Sequence, residues 1–162
     1  MLVLGHGASG TAASMRPWVA ALAARDVAAR AIDLPKSNAE RAVGVFRSVL
    51  AGDPGTAIGG HSYGGRVASI LASAQAVRAL VLLSYPLHRP GHPDEVRADH
   101  WPRIRCPVLM LSGERDPFAN LARLQREARK LADAELVTYP GLGHGLLPVV
   151  DDACDRIAAF LR

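Results

Sequence analysis

Short apolar runs alternate along this chain with longer stretches whose apolar positions recur at helical spacing. Met1–Leu4 reads as a strand followed by a Gly-rich turn, and Trp18, Leu22 and the surrounding alanines read as a helix that Pro17 opens near its first turn. Ala29–Leu34 reads as a strand stopped by Pro35. Asn38–Leu50 reads as a helix with Ala42, Val45, Phe46 and Val49 at helical spacing. Thr56–Gly60 is a third strand, with a helix over Tyr63–Ala74 starting almost on top of it. Val77–Ser84 is the most apolar strand, so it belongs at the centre of a sheet buried on both faces. Leu87–Asp99 is a loop broken by Pro90, Gly91 and Pro93. Beyond it come a strand over Val108–Leu111, a helix around Leu121–Leu131, a strand over Glu135–Tyr139 and a last helix over Val149–Leu161. That last helix sets Val150, Cys154, Ile157 and Leu161 on one face. Strands alternating with helices predict an α/β fold, a three-layer sandwich around a mostly parallel sheet of about six strands.

With 162 residues and neither a repeat nor a linker, residues 1–162 read as a single domain. The composition, 49% hydrophobic and 21% charged, is that of a soluble globular domain and excludes disorder. The longest apolar run, Trp18–Ala24, is about a third of a bilayer span, so no membrane association is expected. Gly5, His6 and Gly7 interrupt the apolar start without a basic segment before it, which argues against a secretory signal. Cys106 and Cys154 show neither a C-x-x-C spacing nor a disulfide framework and read as small apolar residues in a reducing, cytoplasmic setting. The net charge of +4 is carried by arginines interspersed with acids. Arg123, Arg126, Arg129 and Lys130 read as a solvated helix face, so nucleic acid is not the expected partner.

The sharpest local signal is Gly60-His61-Ser62-Tyr63-Gly64, a G-x-S-x-G between a predicted strand and a predicted helix. A serine on so tight a turn is strained and needs small neighbours. The turn lifts its hydroxyl above the sheet and aims a helix N-terminus at developing negative charge. An ordinary Gly-rich strand–helix turn is the plainer reading of that pentapeptide alone. A serine hydroxyl, however, needs a histidine base that is itself oriented by a carboxylate. Asp116 follows the Val108–Leu111 strand, and His144 follows the Glu135–Tyr139 strand in Gly141-Leu142-Gly143-His144-Gly145. Both lie past the C-terminal ends of strands, where sites on parallel sheets assemble.

On these residues, in the order Ser, Asp, His, the chain resembles the alpha/beta-hydrolase superfamily over essentially its whole length. It is most similar to small, cap-less members of the dienelactone-hydrolase-like group. The resemblance implies Ser62 as nucleophile, His144 as base and Asp116 as its orienting acid. It also implies an oxyanion hole from the backbone N–H groups of Tyr63 and of Ala8, in Leu4-Gly5-His6-Gly7-Ala8-Ser9-Gly10. Asp94, Asp99 and Glu114 remain rivals for the acid. Family members usually carry two or more strands before the oxyanion strand, on which this chain begins. Either the fold is trimmed to its parallel core or residues lie upstream of Met1. Dienelactone hydrolases proper use a cysteine nucleophile, so their substrate does not carry over.

The implied activity is hydrolysis of small carboxylic esters or thioesters through an acyl-enzyme, with no metal or organic cofactor and a small-molecule substrate as partner. Two other readings compete. The first turn also spells G-x-G-x-x-G through Gly5, Gly7 and Gly10, with Asp33 near the end of the next strand, as in a dinucleotide site. That reading leaves Ser62, Asp116 and His144 unexplained. The other is a hydrolase fold that serves as an interaction module without turnover. Among the remaining residues, His61 reads as a packing residue, and Pro90 and Gly91 argue against a helical metal pair at His88 and His92. Trp18, Trp101 and Phe118 read as core, with Trp101 and Phe118 placed to edge a pocket. The loop between Ser84 and Val108 is too short for a lid, which leaves the site open to small acyl groups. Arg89 and Arg97 within it read as solvated arginines rather than anchors for a carboxylate.

Overall fold

A computed structural model describes residues 1–36 and 38–162. Its six strands are β1 (Leu2–Gly5), β2 (Ala29–Ile32), β3 (Ala57–His61), β4 (Leu80–Leu83), β5 (Val108–Gly113) and β6 (Ala134–Tyr139). They pair in the order β2-β1-β3-β4-β5-β6, every pair parallel. Five helices complete the fold: α1 (Arg16–Ala23), α2 (Ala39–Leu50), α3 (Tyr63–Ala72), α4 (Leu121–Ala128) and α5 (Val150–Phe160).

The two-residue period of a strand explains why the runs are apolar throughout. Val3, Ile58, Leu80, Leu82, Val108 and Met110 pack with Ala42, Phe46, Val67, Leu71 and Leu124 of α2, α3 and α4. The alternate residues Leu2, Leu4, Val81, Leu83, Leu109 and Leu111 pack with Trp18, Leu22, Ala153, Cys154 and Ile157 of α1 and α5. Both faces of the sheet are therefore covered. β4 is buried at every position near the middle of the sheet, as its composition predicts. Polar caps fix where the helices begin: the Asn38 side chain accepts from the Arg41 N–H at 2.8 Å, and that of Asn120 from the Arg123 N–H at 3.1 Å.

The boundaries move where backbone conformation overrides composition. β4 stops at Leu83 rather than Ser84 because Ser84 sits at φ 50°, outside the extended region. β5 continues through Ser112 and Gly113, paired with Thr138 and Tyr139. A short 3-10 turn over Leu147–Val149 takes up Val149, the first residue predicted for the last helix. Both cysteines are unpaired. Trp101 is core, as its apolar character predicts: it is wholly buried, edge-on to Tyr85 at 4.9 Å between ring centres, and does not reach the pocket rim that the sequence also allowed.

His100 anchors the β4–β5 connection to α3, its Nε2 lying 2.7 Å from Ser69 Oγ. Burial, followed by the positive charge of Arg66 and then Arg103, pushes its pKa down from 6.5 to about 4. Between these values the unfolded chain binds more protons than the folded one, so stability falls as pH drops through that window. Urea midpoints measured between about pH 7 and about pH 5 are expected to fall more steeply in the wild type than in His100→Gln. Parallel slopes would show that His100 titrates alike in both states.

Candidate active site

The C-terminal ends of β1, β3, β5 and β6 deliver the four loops that meet above the sheet. β3 runs into α3 with a single residue between them, Ser62, held at φ 52° and ψ −112°. That conformation is costly for a residue with a Cβ and survives only because its surroundings impose it. Ser62 N–H donates to Leu83 O at 2.8 Å, and Gly64 N–H donates to His6 O at 3.0 Å, tying the turn to β4 and to the β1 loop. A Cβ on Gly64 would run into the Gly5 backbone, so only glycine lets α3 start this close to β1.

His144 bridges the elbow and the acid. An ionised carboxylate only accepts, so His144 Nδ1–H donates to Asp116 Oδ2 at 2.8 Å. Nε2 is thereby left as acceptor, and Ser62 Oγ lies 2.8 Å from it. The Asp116 side chain is fully buried, and its other oxygen accepts from Phe118 N–H at 2.8 Å. Arg115 N–H donates to Leu142 O at 2.8 Å, fastening the acid's loop to the histidine's loop. The His144 ring packs edge-on against Phe118 at 4.7 Å between ring centres, and His61 Nε2–H donates to the His144 carbonyl at 3.0 Å. Burial lowers the pKa of His61, which favours this neutral packing role.

The rival acids lie elsewhere. Asp94 is almost fully exposed, 3.9 Å from Arg123; Asp99 is exposed; Glu114 accepts from Thr138 Oγ1 at 2.9 Å. His88 Nδ1 meets the Arg89 carbonyl and His92 pairs with Glu95, so the two do not converge.

The Gly5–Gly10 turn is held by His6 and by Asp33, the second of which the sequence offered for another task. His6 Nε2 accepts from Leu34 N–H at 2.9 Å, which leaves Nδ1–H to donate to Gly7 O at 2.7 Å. Asp33 accepts from Ala12 N–H at 2.7 Å, so the carboxylate suited to a ribose instead pins the loop's exit. The loop continues into a 3-10 turn, Ala12–Met15, instead of opening a helix as a dinucleotide fingerprint does.

Above Ser62 lies a cavity of about 550 Å³ lined by both loops. Gly7, Ala8, Ser9 and Gly10 form one rim, and Phe118 and His144 another. Met15, Trp18, Leu146 and Leu147 supply an apolar wall. Arg66, Arg89 and Arg97 line it as well. Trp18 thus serves both core and cavity, and Arg66 escaped the sequence reading. Its signal was the spacing of four from Ser62, which puts it one helical turn below the serine.

Comparison with known proteins agrees with this architecture. The family described as an alpha/beta hydrolase domain matches residues 37–156. Acyl-protein thioesterase 1 of Gibberella zeae is 32% identical over 112 residues, 65% of this chain and 46% of that protein. The chain thus spans about half the length of this relative. Among solved structures, the monoacylglycerol lipase of Paleococcus ferrophilus superposes with a TM-score of 0.83 at 16% identity, covering 99% of this chain and 93% of that one. Est1E of Butyrivibrio proteoclasticus gives 0.80 at 17% identity, covering 99% and 87%. The all-parallel sheet and the family match lead to one conclusion: this chain belongs to the alpha/beta hydrolase family.

Proposed function

We propose that the protein is a serine hydrolase that cleaves small carboxylic esters or thioesters through an acyl-enzyme. The observation that carries this reading is the unbroken chain Ser62 Oγ–His144–Asp116, with 2.8 Å at each link. Ser62 Oγ attacks the substrate carbonyl as its proton passes to His144 Nε2. Asp116 holds the ring in the required tautomer and stabilises the imidazolium. The carbonyl oxygen, now an anion, is taken by the N–H groups of Tyr63 and Ala8. Tyr63 is the first residue of α3, so its N–H has no partner within the helix, and its hydroxyl is occupied with Pro35 O at 2.8 Å. Each such donor is worth roughly 3–4 kcal/mol in the transition state. Collapse of the tetrahedral adduct expels the alcohol or thiol with the proton from His144. Water then attacks the acyl-serine by the same route in reverse, releasing the acid and restoring Ser62.

A small substrate follows from the connection between β4 and β5, which holds only a loop and the 3-10 turn Trp101–Arg103. The same shortness supports placing the chain with the cap-less, dienelactone-hydrolase-like members. A thioester is included because the Gibberella zeae relative is named a thioesterase.

Treatment with a fluorophosphonate probe, followed by peptide mass spectrometry, tests the nucleophile directly. Adduct confined to the peptide bearing Ser62 is expected. Folded protein that takes no label would instead favour the interaction module without turnover.

A further inference from the structure

The cavity above Ser62 has charge of one sign. Three of its lining residues are arginines, and among its described lining residues none is Asp or Glu. Asp116 lies beneath it, buried and committed to His144. The three arginines are not equivalent. Arg89 is neutralised by a two-pronged pair with Glu95, at 2.9 and 3.0 Å. Arg66 and Arg97 face the cavity, and among the described residues neither has a carboxylate partner.

Solvation, the ordinary explanation for an unpaired arginine, is incomplete at Arg66, which is half-buried. Its Nε is buried and has no hydrogen-bond partner. A buried donor left unmade costs free energy, more so on a charged group. Arg97 is half-buried rather than solvated as the sequence suggested. Burial lowers its pKa first, then the like charge of Arg66, then that of Arg89, so the two unpaired guanidiniums feel one another. Guanidinium stays protonated at neutral pH, so this repulsion is not relieved by losing a proton. A planar acceptor with two oxygens, placed between the two guanidinium groups, offsets that repulsion.

We propose that Arg66 and Arg97 form an anion subsite, so that the preferred substrate is an ester or thioester carrying a carboxylate on its acyl or its alcohol part. Arg66 lies one turn along α3 from the nucleophile, its backbone N–H donating to Ser62 O at 3.0 Å, and Ser62, Arg66 and Arg97 open onto one cavity. Met15, Trp18, Leu146 and Leu147 supply the complementary apolar wall. The inference rests on the hydrolase reading and specifies its substrate.

The test measures protection of Ser62 from fluorophosphonate labelling at low ionic strength. Monomethyl succinate is set against its neutral amide, methyl succinamate, to place the charge on the acyl side. On the alcohol side, para-acetoxybenzoate is set against para-acetoxybenzamide. In one pair the carboxylate is expected to protect at about a tenfold lower concentration than its amide, the scale of a hydrogen bond to a charged group. Added salt should erode that preference. Arg97→Gln should abolish it and Arg97→Glu should reverse it. Arg66→Gln should also abolish it, and the Arg97 variants decide the matter if that one fails to fold. Carboxylates that protect no better than amides in either pair, or an unchanged preference in Arg97→Glu, would overturn the subsite. Failure of the hydrolase reading shows earlier and separately, as wild-type protein that takes no label before any competitor is added, and the subsite falls with it.

Discussion

Ser62→Ala is expected to lower kcat for a small activated ester by about 10⁶-fold, the scale of removing the nucleophile from a serine protease of unrelated fold. The substitution removes one atom whose described hydrogen bond is to His144 Nε2. Alanine keeps a Cβ, so it meets the same backbone strain at φ 52° that serine does, and the bonds from Ser62 N–H and Gly64 N–H that shape the turn are backbone bonds. The fold should therefore survive, with circular dichroism and thermal midpoint close to wild type, while initial rates fall to background. The cavity and the backbone N–H groups of Tyr63 and Ala8 are untouched, so substrate binding is expected to persist. A variant retaining more than about a tenth of wild-type kcat would remove Ser62 from the nucleophile's role.

Why Ser62 was legible in the sequence, and other parts of the site were not, follows from the range of the forces involved. The elbow is a local object: strand, serine and helix are contiguous, and the glycines demanded by the close approach of α3 to β1 lie within a few residues of it. The doubly buried strands were legible because burial on both faces removes polar residues from every position, as in β1 and β4. Asp116 and His144 were reachable by one step of topology, since loops after parallel strands share an edge. The bonds that single out Asp116 from Asp94, Asp99 and Glu114 depend on how the β5 and β6 loops dock, which no local pattern encodes. The same holds for the tryptophans. Trp18 and Trp101 are equally apolar in the sequence, and only the packing of α1 over the cavity and of Tyr85 over Trp101 tells them apart. Arg66 was missed because charge alone marks a solvated helix face, and its half-burial beside the cavity is a tertiary fact.

Asp116→Asn is expected to lower kcat by about 10⁴-fold, the loss found for the same exchange in a serine-protease triad. The asparagine fits the space of the buried carboxylate, and its carbonyl oxygen can keep the bond from Phe118 N–H. Its NH₂ then faces His144 Nδ1, where the native acid accepts at 2.8 Å. Two donors cannot meet, so Nδ1 becomes the acceptor and the ring proton moves to Nε2. That nitrogen now presents a proton to Ser62 Oγ where it must receive one. The nucleophile is left beside a base in the wrong tautomer, and KM should change far less than kcat because the cavity is untouched. Asp94→Asn is the control: Asp94 is exposed and 3.9 Å from Arg123, so its loss should leave kcat at the wild-type value. If Asp94→Asn lost the activity and Asp116→Asn kept it, the short bond to His144 would be structural, and the orienting acid would have to reach the ring through a rearranged β4–β5 loop.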